Sequence, residues 1–298
     1  MTQIMETKII FKDFNPDYYE YDQNDDPLGG GSYGQVFRAQ LKEENAHTGL
    51  PKESAVKIIK WNRPGKGYEE TELNLLDVGL NFRNENLVQI YSLSLSKTKT
   101  KGMQAIFMEL CEESLDDFRK KTAKQDVSLD DLKYVTKGIL SGLAHLHDLK
   151  IIHRDVKLQN VLLKTKNGGS SLRDKTIKLT DFNVSKWSPE DDRTPTQTSE
   201  VGTAGFRAPE VLVAREDGKT YYDTPADVWA LGVLVYFFWT RDAFANEEEI
   251  RSEQIDDVID SKIKTIPDAG LQQFLRECLK KIPKERPTAC ALLNHRFL

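Results

Sequence analysis

Three closely spaced glycines near the start of the chain could bind phosphate. Gly29, Gly31 and Gly34 precede Val36 in the pattern Gly-x-Gly-x-x-Gly-x-Val. Without side chains, such a turn lets backbone N–H groups approach phosphate oxygens closely. The same spacing opens dinucleotide sites of the Rossmann type, but there a helix follows at once, whereas here the sequence predicts a strand. A glycine-rich hairpin without a ligand is the alternative interpretation of this motif alone.

A lysine in an apolar strand segment is the second candidate. Lys57 lies within Ala55-Val56-Lys57-Ile58, where an unpaired ammonium group would be costly to bury, so the sequence predicts anions nearby. Phosphate oxygens and a helix carboxylate could supply them. Glu72 fits best among three neighbouring glutamates, because Leu76 follows one helical turn later on the same face. An edge-strand lysine whose ammonium group reaches solvent is the alternative.

Short strands and one helix would position these groups. The first third of the chain alternates β-branched or aromatic segments with polar or glycine-containing ones, which predicts strands and turns. The strands are expected at 36–39, 55–59, 87–91 and 105–108. One helix is predicted from about Tyr68 to Val78.

The rest of the chain is predicted to be mainly helical. Apolar residues recur at helical spacing over 129–146, and that helix is expected to end near Asp148. Further helices are predicted at 227–239 and 271–279, and exposed loops at 164–175 and 188–199. A strand-rich lobe followed by a helical one places a cleft near 109–113.

Composition limits the function classes. The 298 residues, 39% hydrophobic and 30% charged, suit a globular protein with one large domain or two packed lobes. A net charge of -5 argues against dependence on nucleic acid. The three cysteines, Cys111, Cys278 and Cys290, are far apart, which favours a reducing compartment, the cytosol or nucleus. The longest apolar run, 231–239, is too short to span a membrane and is expected to be a buried helix.

The segment 152–163 carries the most specific motif in the chain. It reads Ile-His-Arg-Asp-Val-Lys-Leu-Gln-Asn-Val-Leu-Leu and resembles the catalytic loop of protein kinases. Further matches follow in the order of that family: Asp181-Phe182, Ala208-Pro209-Glu210, Asp227 to Gly232, and Arg286-Pro287-Thr288. The resemblance implies the bilobal α+β kinase fold as a single domain over 1–298. Its small antiparallel β-sheet lobe, with one key helix, would cover about 1–109, and its larger, mainly α-helical lobe about 110–298.

The resemblance also implies transfer of the γ-phosphoryl group of ATP to a hydroxyl of a protein substrate. Asp155 would orient that hydroxyl and accept its proton, and Lys157 would neutralise charge on the transferred group. Asn160 and Asp181 would hold Mg²⁺, which prefers hard oxygen ligands.

Nucleotide binding is assigned by the same resemblance. Lys57, paired with Glu72, would hold the α- and β-phosphates. Met108 would lie at the back of the adenine pocket, and backbone groups of 109–111 would hydrogen-bond adenine. The nucleotide-binding residues implied beside Lys57 are Leu28, Gly29, Gly31, Gly34, Val36, Ala55, Met108, Glu109, Cys111 and Leu162. Of these, Val36, Ala55 and Leu162 would sandwich the adenine ring.

Two further features are implied by the family pattern. Lys157 lies two residues after Asp155, and a lysine at this position is typical of serine/threonine kinases. Thr203 would contact the side chains of both Asp155 and Lys157. Asp227 would anchor the backbone of the catalytic loop, and Glu210 would form a buried ion pair with Arg286.

Regulation is expected in the segment after Asp181. Arg154 and Lys186 would form a basic pocket suited to a phosphate group. Thr198 and Ser199 are the best-placed acceptors, with the threonines at 194 and 196 as further candidates, and a disordered polar loop is the alternative.

One position departs from the family. Asn183 stands where most members have glycine after Asp-Phe, although asparagine tolerates a left-handed backbone better than other residues with side chains. We therefore expect Mg²⁺-dependent catalysis to be retained and conformational switching to be altered. The alternative is a pseudokinase that binds nucleotide and acts as a scaffold or allosteric partner. Neither the acceptor sequence nor the oligomeric state follows from these motifs.

Overall fold

The computed structural model describes most of the chain. The described residues are 4–9, 15–31, 34–61, 84–97, 102–123, 127–166, 168–169, 171–181, 186–187, 195–196, 203–212, 220–221 and 223–298. The predicted helix at 68–78 lies outside them, and so do Glu72, Asn183, Thr198 and Ser199.

Two compact units make up the chain. The first contains residues 1–83 and 87–111, and the second contains residues 84–86 and 112–298. The boundary therefore falls between Cys111 and Glu112, two residues after the expected division.

The first unit is built on an antiparallel sheet. Its strands are β1 (Ile4–Ile9), β2 (Tyr19–Glu20), β3 (Gly29–Gly31), β4 (Gly34–Leu41), β5 (Glu53–Trp61), β6 (Ile90–Lys97) and β7 (Gly102–Met108). The spatial order is β1-β6-β7-β5-β4-β2, and β3 pairs with β4. The strands predicted at 36–39, 55–59 and 105–108 are confirmed. The one predicted at 87–91 is misplaced, because Leu87 and Val88 are buried but pairing with β7 begins only at Ile90.

Strand register assigns residues to the two faces of this sheet. Directly opposed residues share a face, and neighbours along a strand point to opposite faces. Phe37, Val56 and Phe107 are opposed and belong to a buried apolar cluster. Tyr19 packs against Phe107 in that cluster, and its hydroxyl donates to Pro51 O at 2.6 Å. The other face carries the neighbouring residues, including Lys57.

The second unit is mainly helical. Its helices are α1 (Leu115–Lys121), α2 (Leu129–Asp148), α3 (Pro209–Leu212), α4 (Thr224–Thr240), α5 (Glu247–Arg251), α6 (Ile255–Ile263), α7 (Ala269–Cys278) and α8 (Ala289–Leu292). The three predicted helices correspond to α2, α4 and α7. A capping box between Ser128 and Asp131 fixes the start of α2. Helix α4 contains the apolar run 231–239 and is buried on nearly all sides, as expected.

Short strands hold the loops of the second unit. They are β8 (Glu113–Ser114), β9 (Ile151–Ile152), β10 (Val161–Thr165), β11 (Lys175–Leu179), β12 (Lys186–Trp187), β13 (Pro195–Thr196) and β14 (Thr220–Tyr221). The loop predicted at 164–175 is too long, because β10 continues to Thr165 and a capped 3-10 turn forms at Leu172–Asp174. The loop predicted at 188–199 contains β13, and its other residues are not described. Within the described ranges, no helix has both the length and the apolar character needed to cross a membrane.

Candidate active site

The catalytic-loop segment lies between β9 and β10 and gathers four polar side chains. Asp155 Oδ2 is 2.9 Å from Lys157 Nζ. The hydroxyl of Thr203 donates to Asp155 Oδ1 at 2.9 Å and accepts from Lys157 Nζ at 2.8 Å. The Nδ2 group of Asn160 donates to both Asp155 Oδ2 and the Asp155 carbonyl, at 2.9 and 2.8 Å. Asp155 is thus a nearly buried carboxylate whose two oxygens are fixed by donors, suited to orient one hydroxyl group.

The amide of Asn160 is oriented in a way that suits a metal ligand. Because its Nδ2 group makes both hydrogen bonds to Asp155, its side-chain oxygen Oδ1 takes no part in them. The backbone N–H of Thr180 donates to Asn160 O at 2.9 Å, so Asp181 follows directly after a residue bonded to Asn160. An amide oxygen and a carboxylate are hard donors, and this pair fits a divalent cation.

Asp227, on α4, holds the backbone that precedes Asp155. Its carboxylate accepts the N–H groups of His153 and Arg154, both at 2.8 Å, and His147 Nε2 lies 2.9 Å from Oδ2. Arg154 has a left-handed backbone with φ 69°, which is unfavourable for a residue with a side chain. The expected anchoring role of Asp227 is confirmed by these contacts.

The His153 imidazole makes two hydrogen bonds near Asp155. It is fully buried, and Asp155 N–H donates to its Nδ1 at 3.3 Å. Nδ1 must then be unprotonated, so Nε2 carries the hydrogen and donates it to Thr180 O at 2.9 Å. The imidazole therefore joins the backbone of Asp155 to that of Thr180, the residue before Asp181, through hydrogen bonds.

The candidate nucleotide residues of the first unit share one face of the sheet. Gly29 opposes Val36, Val36 opposes Lys57, and Ala55 opposes Met108. All of them lie opposite the face that carries the buried cluster around Phe107. Lys57 is 8% exposed, so its ammonium group is placed on this face within a nearly buried site.

The edges of this face carry the remaining candidates of the first unit. Leu28 donates its N–H to Val36 O at 2.8 Å, and the residue is 48% exposed. Glu109 N–H donates to Gln89 O at 2.8 Å, so this amide is used within the sheet unit and not for adenine. Cys111 is half-buried and a free thiol. Leu162 lies on β10 of the second unit and is half-buried.

Comparison with known proteins identifies the family. The model of the protein kinase domain matches residues 22–298. The chain belongs to the protein kinase domain family. The predicted family is confirmed, and so is the α+β fold class, since the kinase domain has an antiparallel sheet unit and a mainly helical unit.

Named relatives of the kinase domain include several kinases. Human Myosin-IIIa is 32% identical over 305 residues, which is 97% of this chain and 17% of that protein. Human Nik-related protein kinase is 30% identical over 301 residues, 92% of this chain and 18% of that protein. Serine/threonine-protein kinase 10 of Danio rerio is 29% identical over 283 residues, 91% of this chain and 26% of that protein. The chain therefore spans about a quarter or less of the length of these relatives.

A buried ion pair stabilises the kinase domain outside the catalytic loop. Arg286 Nη1 and Nη2 lie 2.7 and 2.8 Å from the two carboxylate oxygens of Glu210. The guanidinium also donates to Pro225 O and Lys280 O and stacks over Trp229, 5.1 Å from the ring centroid. The predicted pair is present, although the Glu210 side chain retains 23% exposure.

Two contacts in the kinase domain were not anticipated from the sequence. The first is the bond from His147 to Asp227, whose residues are 80 positions apart. The second joins Arg207 Nη1 to Glu247 Oε1 at 3.0 Å. Arg207 lines a small pocket that also includes Asp155 and Thr203. No periodic or motif signal marks either pair, because each depends on how separate helices and loops pack.

Glycine at Gly34 is required by the fold, whereas glycine at Gly29 is not. Gly34 has φ 125°, and a Cβ there would lie 2.4 Å from Ile58 O. A Cβ on Gly29 would meet no described atom within 4 Å, and it would lie on the same face as Val36 and Lys57. The space on this side of Gly29 is therefore open and could accept a ligand.

We expect Gly29→Ala to weaken ATP binding without destabilising the domain. The added methyl group enters the space beside Val36, so the KM for ATP should rise about fivefold, on the order of 1 kcal/mol. The melting temperature should stay the same. Gly34→Ala is the matched control, and should destabilise the fold by about 2 kcal/mol or more through backbone strain. An unchanged KM in a well-folded Gly29→Ala variant would contradict a nucleotide on this face.

The pH dependence of stability should reflect Asp227. Burial alone would raise the pKa of this carboxyl, but hydrogen bonding and charge from His147, with the Arg154 amide, hold its pKa below the ordinary value. The carboxylate therefore contributes stability that is fully present above the ordinary aspartate pKa and is lost as pH falls through the lowered one. The free energy of unfolding can be measured in urea for wild type and Asp227→Asn across pH 3–7. The wild type should be more stable near neutral pH, and its advantage in free energy should shrink in acid. An advantage that stays constant over this range would contradict a stabilising role of the ionised carboxylate.

Proposed function

We propose that this domain is an active serine/threonine protein kinase, which transfers the γ-phosphoryl group of ATP to hydroxyl groups of protein substrates. The observation that carries the proposal is the cluster of Asp155, Lys157, Asn160 and Thr203, whose side chains are joined by contacts of 2.8 to 2.9 Å. The matched kinase family and the serine/threonine kinase named among its relatives support the same activity.

Asp155 acts on the acceptor. Its fixed carboxylate accepts a hydrogen bond from the attacking hydroxyl and mainly orients this nucleophile, because the transition state is loose. It takes the hydroxyl proton as the new bond to the γ-phosphorus forms and the bond from that phosphorus to the bridging oxygen breaks, so that ADP leaves. Thr203 and Asn160 fix the two carboxylate oxygens. Lys157, held 2.9 Å from Asp155, offsets negative charge on the phosphoryl group.

Asn160 and Asp181 would hold Mg²⁺. When bound, this ion neutralises charge on the phosphate oxygens. Lys57, with Glu72, holds the α- and β-phosphates. The exposed Leu28 and the partly exposed Val36 contact the adenine ring together with Ala55.

A pocket beside Asp155 is the proposed position of the residue next to the acceptor. Phe206 and Arg207 line it, and Glu247 holds the Arg207 guanidinium. The acceptor sequence can be found by peptide scanning, in which Arg207→Ala should change the preference at one position and leave others unaltered.

The proposal is tested by label transfer. The purified domain is incubated with γ-labelled ATP, Mg²⁺ and a mixed protein acceptor such as dephosphorylated casein, and the labelled amino acids are then identified. We expect phosphoserine and phosphothreonine, and none after chelation of the metal. Nucleotide binding without transfer would favour the pseudokinase. A normal rate that appears only in Asn183→Gly would show that the asparagine prevents catalysis.

Regulation and compartment follow as further proposals. Phosphorylation of Thr198 or Ser199 orders the segment that follows Asp181, near the basic Arg154 and Lys186. Full activity of a Thr198→Ala, Ser199→Ala double variant would contradict this.

The free thiols of Cys111, Cys278 and Cys290 support a reducing compartment, cytosol or nucleus.

A further inference from the structure

Glu247 forms an ion pair with Arg207, in the segment that follows Thr203. Arg207 Nη1 donates to Glu247 Oε1, on the first residue of α5, at 3.0 Å. The two side chains are 15% and 29% exposed, so water screens this contact less than it screens a surface pair. Arg251, one turn later on α5, lies 3.7 Å from the other carboxylate oxygen, but its side chain is 52% exposed. Arg207 is therefore the closer and the more shielded of these two cations.

Local hydrogen bonds order the backbone at both ends of the ion pair. A capping box between Asn246 and Glu249 fixes the first turn of α5. On the other side, the N–H of Phe206 donates to Thr203 O at 3.1 Å and closes the turn that precedes Arg207. The contact thus joins two ordered pieces of backbone that are distant in the sequence.

The pocket beside this ion pair begins at the candidate catalytic aspartate. Its lining includes Asp155, Thr203, Phe206 and Arg207. In the proposed reaction the acceptor hydroxyl contacts Asp155, and neighbouring residues of a peptide have Cα atoms about 3.8 Å apart. A residue next to the acceptor therefore comes close to Arg207, and the charge on its guanidinium affects which side chain is accepted there.

We propose that Glu247 is a specificity-determining residue for the protein substrate, acting through Arg207. Its carboxylate offsets the guanidinium charge, so an acidic side chain next to the acceptor gains little from Arg207. A basic side chain is repelled by the guanidinium, because Arg207, and not Glu247, is part of the described pocket wall. The domain accordingly selects substrates with an uncharged residue beside the acceptor. This inference rests on the proposed kinase activity, because it names the class of substrate for that reaction.

Three variants separate the charge of Glu247 from its shape. Glu247→Gln keeps the size of the side chain and an oxygen that accepts from Arg207 Nη1, but it removes the negative charge. Glu248→Gln is the matched control, because Glu248 is the next residue of α5, is exposed, and forms no ion pair with another described residue. A Glu247→Gln, Arg207→Gln double variant tests whether the effect passes through Arg207.

The assay is a peptide library in which the residues directly before and after the acceptor are varied. In wild type and Glu248→Gln, kcat/KM with glutamate at either position should be no higher than with glutamine. In Glu247→Gln the ratio of these two values should rise about tenfold at one of the positions, because the guanidinium charge is no longer offset. The double variant should lose this gain, and salt at about 0.5 M should reduce it by screening.

An unchanged ratio in Glu247→Gln would overturn the inference. A gain that persists in the double variant, or a preference of wild type for glutamate, would overturn it as well. If wild type phosphorylates no peptide, the proposed function fails, and binding then decides the inference. Peptides with alanine at the acceptor position and glutamate or glutamine beside it are compared by fluorescence anisotropy. Glutamate should gain about tenfold in relative affinity in Glu247→Gln, and equal ratios in wild type and variant would contradict the role of Glu247.

Discussion

Replacing Asp155 with asparagine should reduce kcat by about two to four orders of magnitude, the range typical for loss of a positioned proton acceptor. The amide cannot take the proton of the attacking hydroxyl. If its oxygen continues to accept from Thr203, its NH₂ group takes the place of Oδ2 and faces the donors Lys157 Nζ and Asn160 Nδ2. The side chain is thus misplaced as well as uncharged. Steady-state kinetics should show the loss in kcat, with the KM for ATP nearly unchanged.

The control for this variant is an aspartate on the surface of the same unit. Asp130, whose side chain is 72% exposed, lies 3.3 Å from Arg173 and has no place in the cluster around Asp155. Asp130→Asn should keep the wild-type rate. A decrease of less than about tenfold in Asp155→Asn, with the control intact, would show that another group accepts the proton and would remove Asp155 from its central role.

Helices were predicted correctly from the sequence where a long helix buries one face of regularly spaced apolar residues. Helix α2 has a single apolar face and a capping box at its start, and both signals are local. Helices α1, α3 and α5 have seven, four and five residues, too few for a periodic pattern to stand out. Helix α6 could have been predicted, because its buried Ile255, Ile259 and Ile263 recur at intervals of four.

Strand β5 shows why the faces of the sheet could not be read from the sequence. Residues Ser54 to Ile59 are all buried, so the strand lacks the alternation that normally separates an inner from an outer face. The register with β4 and β7 separates them instead: Val56 faces the apolar cluster, and Lys57 faces the other way. Motif spacing could suggest a phosphate partner for Lys57, but only pairing between strands shows that it shares a face with Gly29.

The reactive side chains of the candidate site were easier to predict from the sequence than the contacts that hold them in place. Asp155, Lys157 and Asn160 lie within six residues, so a short motif was enough to suggest them together. Thr203 was expected beside them through family resemblance, and its hydroxyl contacts both Asp155 and Lys157. The bond from His147 to Asp227 depends instead on how α2 packs near α4, and local sequence carries no such distance.

The largest effect on stability is expected for Arg286→Leu. This change removes a guanidinium whose side chain is fully buried, leaves Glu210 without its counterion, and leaves the carbonyls of Pro225 and Lys280 without their donor. Breaking a buried pair in this way typically costs about 3–5 kcal/mol. Urea unfolding should show a much lower midpoint with an unchanged slope.

Comparison with an exposed ion pair tests whether burial causes the large loss of stability in Arg286→Leu. Arg38 and Glu53 form a pair of similar length, 2.8 Å, but their side chains are 48% and 41% exposed, so Arg38→Leu should cost at most about 1 kcal/mol. Replacing Glu210 as well, in an Arg286→Leu, Glu210→Leu double variant, should restore part of the loss, because no uncompensated charge then remains. The recovery should be incomplete, since the carbonyls of Pro225 and Lys280 still lack donors. Equal losses for Arg286→Leu and Arg38→Leu would instead mean that solvent reaches Glu210 freely enough to replace its partner.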